Sequence, residues 1–105
     1  MLGGTPEQAL DASSIALSNL LGLVCDPVGG LVEVPCQNRN AIGVAAAFSS
    51  AQLALAGIKS LVPFDQMAHV MLSVGHALPA TLRETAKGGI AQAALSACAK
   101  CGVCG

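Results

Sequence analysis

The chain has 105 residues, 53% of them apolar and 10% charged, with a net charge of −1. That length allows one domain at most. Its charge, far below the roughly one quarter usual in soluble domains, is too thin to cover a free-standing globule, so the chain is buried against a partner, lies in a membrane, or is a piece of something larger.

In chain order, the first twelve residues hold no basic run followed by an apolar one, so no secretory signal is expected. Five cysteines without an export signal read as thiols for metal or redox chemistry in the cytoplasm, rather than as a disulfide framework. Thr5-Pro6-Glu7-Gln8 predicts a helix start: Thr5 caps, Pro6 takes the first helical position and Gln8 closes a capping box. Leu10, Ile15, Leu17, Leu20 and Leu21 continue it loosely in helical period, and Gly22 suits a stop, so the first helix covers residues 6–20. From Leu23 to Pro35, two prolines and Gly29-Gly30 rule out a helix, and "LVEV" is suited to a short extended piece.

A second helix is expected from Gln37 or Asn38 to Ala56, with Gly57 ending it and a surface of small residues (Gly43, Ala45, Ala46 and Ala47) suited to a bundle interior. The nineteen uncharged residues between Arg39 and Lys59 have the length of a membrane span. They include Asn40, Ser49, Ser50 and Gln52, and their apolar content is mostly alanine, so a buried helix is the better reading. Pro63 opens a third helix over 63–78, with Phe64, Met67, Val70, Met71 and Val74 on one face. Pro79 starts a short fourth through Lys87, stopped by Gly88-Gly89. From Ile90 a helix runs to Ala97, after which "CAKCGVCG" reads as irregular, and 92–105 as a flexible tail. The class is all-α: a single helical-bundle fragment of about four helices with a long cysteine-bearing loop between helices 1 and 2. The scattered basic residues, and aromatics limited to Phe48 and Phe64, exclude a nucleic-acid footprint.

Cys25 follows the first helix and Cys36 precedes the second. A thiolate at a helix N-terminus is stabilised by backbone N–H groups and the helix dipole, and the thiolate is the form a metal binds. The other reading of both is as small buried hydrophobes, a common fate of free cysteines. Cys98, Cys101 and Cys104 form a C-x₂-C-x₂-C run like the beginning of a ferredoxin motif, without its fourth cysteine and proline; the alternative is an idle terminus. His69 and His76 lie seven apart on the third helix and read first as a surface or core pair. Asp26, Glu33, Arg39 and Asn40 crowd the cysteine loop, and Arg39 offers a fork for a carboxylate. Arg83 and Glu84 read as pairing with helix ends or solvent. Lys59, Lys87 and Lys100 have no context for a Schiff base.

"LGLVCDPVGGLVEVPCQNRNAIG", with "LAGIKSLVPFDQ" and "LPATLRETAKGGIA" downstream, resembles the α-chain of iron–sulfur-dependent L-serine dehydratases, from about Gly3 to Ala91. The resemblance implies the C-terminal part of an all-helical catalytic domain, with Cys25 and Cys36 as two of three cysteines holding a [4Fe-4S] cluster. Three cysteines leave one iron open as a Lewis acid, for an α,β-elimination that turns L-serine into pyruvate and ammonia without pyridoxal phosphate. Arg39 and Asn40 are the residues chosen to orient the substrate carboxylate, and no residue stands out as the base. The third cysteine is expected upstream of residue 1, so the partners implied are the remainder of the catalytic domain or a β-chain, together with self-association. The tail cysteines receive no support from the resemblance. Two competing readings remain: a small iron–sulfur or zinc module built on them, and a helical interaction protein with inert cysteines.

Overall fold

The computed structural model describes residues 3–101. Its helices are α1 (Pro6–Asn19), α2 (Asn38–Leu55), α3 (Phe64–Ala77) and α4 (Gly89–Cys101), with 3₁₀ turns at Val28–Gly30 and Ala80–Leu82 and a π turn at Glu33–Gln37. The described residues form no strand, only an isolated bridge between Cys25 and Arg83. No helix among them is long and apolar enough to cross a membrane. The chain divides into two compact units, residues 1–22 with 41–76 and residues 23–40 with 77–105.

In the first unit, α1 starts as its sequence directs. The Gln8 amide donates to Thr5 Oγ1 at 3.1 Å and the Thr5 amide to Gln8 Oε1 at 2.9 Å, closing the capping box. Gln8 also reaches across, its Nε2 donating to the Ala54 carbonyl at 3.3 Å near the end of α2. There α2 stops in a Schellman motif: Ile58 N–H donates to Leu53 O and Gly57 N–H to Ala54 O, both at 3.0 Å, with Gly57 at φ 93°. Asp11 of α1 accepts from the Ser60 amide at 3.0 Å and so ties down the connection to α3. Ile15, Ala54 and Met67 are buried in this unit.

Its surface is less well covered. On α2, Ile42 is 65% exposed and Phe48 60%. An open groove of about 390 Å³ between α1 and α2 is lined by small apolar groups, among them Gly4, Ala9, Ala12, Ala47 and Ala51, beside Phe48.

The second unit departs from the expected helices in two places. No helix runs from Pro79 to Lys87; after a single 3₁₀ turn the chain bends, because Leu82 O and the Glu84 amide, which a helix would use internally, bond to Cys25 instead. And Gly88-Gly89 begins a helix rather than ending one, while α4 runs on through Cys98 to Cys101, regular where irregular backbone was expected. Its alanine-rich sequence favours that outcome.

Candidate functional site

Both loop thiols belong to the second unit. Pro27 leads into the turn Val28–Gly30, where Gly29 and Gly30 take φ of 63° and 73°, a conformation that glycine adopts at least cost. The expected extended piece reduces to Val34 alone, at φ −131° and ψ 125°, inside the π turn closed by the Gln37 amide on Val32 O at 3.2 Å. Cys36 lies in that turn directly before α2. Both Cys25 and Cys36 are half-buried free thiols.

Cys25 is held by its backbone. Its N–H donates to Leu82 O at 3.2 Å and its carbonyl accepts from the Glu84 amide, which makes a short parallel pairing across Arg83. Burial pushes the Cys25 thiol above its ordinary value; negative charge at Glu84, Cys36 and Asp26 adds to the shift and Arg39 opposes it.

The next residue organises the unit. Asp26 is 1% exposed. Its Oδ2 accepts from the Ile90 amide in the first turn of α4, where the helix dipole favours a carboxylate. Its Oδ1 lies 3.5 Å from Arg39 Nη2, while Arg39 Nη1 donates to the Val24 carbonyl. One carboxylate thus joins the cysteine loop, the start of α2 and the start of α4. The glycine pair makes this approach possible. A Cβ on Gly89 would stand 3.0 Å from Asp26 Cγ and closer still to Oδ2, and one on Gly88 would stand 2.8 Å from the Thr81 carbonyl.

The other sequence candidates are placed as follows. Arg39 and Asn40 occupy the first turn of α2, Arg39 half-buried and committed to Val24 and Asp26, Asn40 exposed. His69 and His76 are exposed on α3 and belong to the first unit. Cys98 is half-buried on α4 and disulfide-bonded, not a free thiol. Cys104 and the side chain of Cys101 lie outside the described residues. Among the described residues no three His, Cys, Asp or Glu side chains are grouped to hold a metal ion. Cys25 and Cys36 are the two free thiols among the described residues.

The sequence alone places Asp26 among the polar residues of the loop and Glu84 at a helix end or in solvent, and Glu84 is exposed. The available signal was the occurrence of C-D-P and of a Gly-Gly before an alanine-rich helix, two stretches that the bond between Asp26 and Ile90 brings together.

The described residues thus form an all-α chain whose two-thiol loop is clamped to a helix start. Residues 1–91 match the serine dehydratase alpha chain family, and the chain belongs to that family. It is 60% identical over 91 residues to the L-serine dehydratase alpha chain of Peptoniphilus asaccharolyticus, covering 87% of this chain and 31% of that protein. It is 55% identical over 91 residues to a probable L-serine dehydratase alpha chain of Bacillus subtilis, covering 87% and 30%, and 42% identical over 92 residues to L-serine dehydratase 1 of Escherichia coli, covering 87% and 20%. The chain thus spans less than a third of the length of each of these relatives. No solved structure matches it significantly.

Proposed function

We propose that this chain carries part of the catalytic domain of an L-serine ammonia-lyase, acting on L-serine to give pyruvate and ammonia in the cytoplasm. The observation that supports this most directly is that the family match spans the whole Cys25–Cys36 loop and its clamp at Asp26 and Gly89. In this reading Cys25 and Cys36 donate two thiolates to a [4Fe-4S] cluster, and a third comes from the remainder of the catalytic domain or a β-chain. When bound, a cluster with an open iron supplies Lewis acidity. The chain's own contribution is to hold the ligands and the substrate. Asp26 fixes the backbone around Cys25 through Ile90 and Arg39. Arg39 and Asn40, adjacent at the start of α2, offer N–H donors for the substrate carboxylate.

The test is anaerobic reconstitution with iron and sulfide, followed by visible absorption. The charge-transfer band is expected in the wild type and in Cys98→Ser, and is expected to be lost in Cys25→Ser and in Cys36→Ser. Equal iron and sulfide uptake in all four proteins would remove the cluster assignment.

A further inference from the structure

Helix α2 is apolar on more than one face. From Asn40 to Leu55 it carries no charged residue, and of its 18 residues only Ser50 and Ala54 are buried. Val44, Phe48, Ala51 and Leu55 recur at helical spacing along one face, while Ile42 lies on another. Of these, Ile42, Val44, Phe48 and Leu55 are exposed. A helix patterned in this way belongs inside a larger bundle. Its first face is one wall of the groove of about 390 Å³ in the first unit. Ala9 and Ala12 line that groove from α1, and Ala47 and Ala51 line it from α2, beside Phe48 and Leu55. Small residues of this kind leave the gaps into which the ridge of a facing helix packs.

The charge around the groove argues against a lipid occupant. The first unit carries Glu7, Asp11 and Asp65 against Lys59 alone, and this acidic balance offers nothing to an anionic membrane surface. The family match argues for polypeptide. Residues 1–91 include every residue that lines the groove, yet the matched stretch makes up only 31% of the Peptoniphilus asaccharolyticus chain and 30% of the Bacillus subtilis one. In each relative, the counterpart of this groove therefore folds together with more than twice its own length of further chain. We propose that the groove between α1 and α2 seats an apolar helix from the part of an L-serine dehydratase α-chain that this chain does not match, its large side chains entering between the alanines and packing on Phe48. The assignment rests on family membership and uses neither the cluster nor the substrate reading above, so each stands or falls without the other.

The experiment compares the chain alone with a chimera, the Peptoniphilus asaccharolyticus α-chain in which the matched stretch is replaced by residues 1–91 of this chain. Ala47 is exposed, and arginine suits a helix nearly as well as alanine. Ala47→Arg is therefore expected to leave the thermal midpoint of the isolated chain, read by circular dichroism at low concentration, where it was. In the chimera the same side chain is forced into a packed interface, and the midpoint is expected to fall by roughly 5 °C or more, as an unpaired buried charge requires. Phe48→Gln, at a neighbouring exposed position, is expected to follow the same pattern. A second measurement does not depend on the chimera folding: the full chain is co-expressed with the tagged, unmatched part of the same relative. The wild type is expected to be retained on the tag and Ala47→Arg to be retained roughly tenfold less. Chimera midpoints that are equal with and without Ala47→Arg, or equal retention of the two chains, overturn the proposal. An unaffected chimera together with loss of self-association in the isolated Ala47→Arg chain also overturns it, and gives the groove to a second copy.

Discussion

Replacing Gly89 with alanine tests the clamp at the centre of the second unit. At an ordinary helix position the change favours the helix by up to about 1 kcal/mol. Here the sign reverses, because Gly89 has φ 56° and its new methyl would stand 3.0 Å from Asp26 Cγ. The left-handed backbone costs an alanine about 1–2 kcal/mol. Displacing Asp26 from the Ile90 amide leaves buried polar groups unsatisfied, at about 1–3 kcal/mol. Set against the propensity gain, the net loss is about 1–4 kcal/mol. Urea unfolding followed by circular dichroism reads it as a lower midpoint at unchanged slope. Adding Asp26→Ala to Gly89→Ala separates the contributions: the steric part vanishes and only the backbone part remains, so the two changes are less than additive. A Gly89→Ala chain as stable as the wild type, or more stable, would refute the reasoning.

Three further outcomes follow from the same geometry. Because the folded chain raises the Cys25 pKa, the folded state binds that proton more tightly than the unfolded one, so this contribution to stability is fully present below the unfolded thiol value and is lost as pH rises through the folded one; stability measured across the alkaline range should fall more steeply in the wild type than in Cys25→Ser. Ile42 and Phe48 are exposed on α2, and apolar surface of this kind favours association, so sedimentation should show mass rising with concentration and a weaker rise in Phe48→Gln; a monomer at every concentration counts against it. With two thiols and no third donor grouped among the described residues, the chain alone should form no pyruvate from L-serine in an assay coupled to lactate dehydrogenase, even after it has taken up iron and sulfide, and sustained turnover in a Cys98, Cys101 and Cys104 triple serine variant would sink that expectation.

The helix boundaries that sequence reasoning placed well are those decided locally. Thr5 and Gln8 cap each other within one turn, and Gly57 ends α2 through bonds to Leu53 and Ala54. Nothing distant is needed to predict either. The stretch from Pro79 to Gly89 was misread because its fate is set from outside. Pro79 is a good helix starter by local rules, yet Cys25, 57 residues away from Leu82 in sequence, takes the Leu82 carbonyl and the Glu84 amide out of any helical ladder. Gly88-Gly89 looks like a stop for the same reason: the groups that require glycine there, Thr81 O and the Asp26 carboxylate, become visible only when the loops are packed. In the tail, a cysteine spacing typical of metal loops outweighed a plain run of alanines, and the alanines prevailed.

The thin charge of the chain also has a different meaning once the two units are separated. Of the eleven charged residues, Glu7, Asp11, Lys59 and Asp65 fall in the first unit. Asp26, Glu33, Arg39, Arg83, Glu84, Lys87 and Lys100 fall in the second, which holds fewer residues. The sparse average therefore combines a nearly uncharged helical unit, whose apolar surface needs covering, with a unit that gathers charge around two thiols. Burial of charge is costly unless it is paired or has a ligand to meet. Asp26 and Arg39 satisfy the first condition, each through the other. Glu84, in left-handed backbone with its amide on Cys25 O, is exposed and keeps its charge in water, so it needs neither.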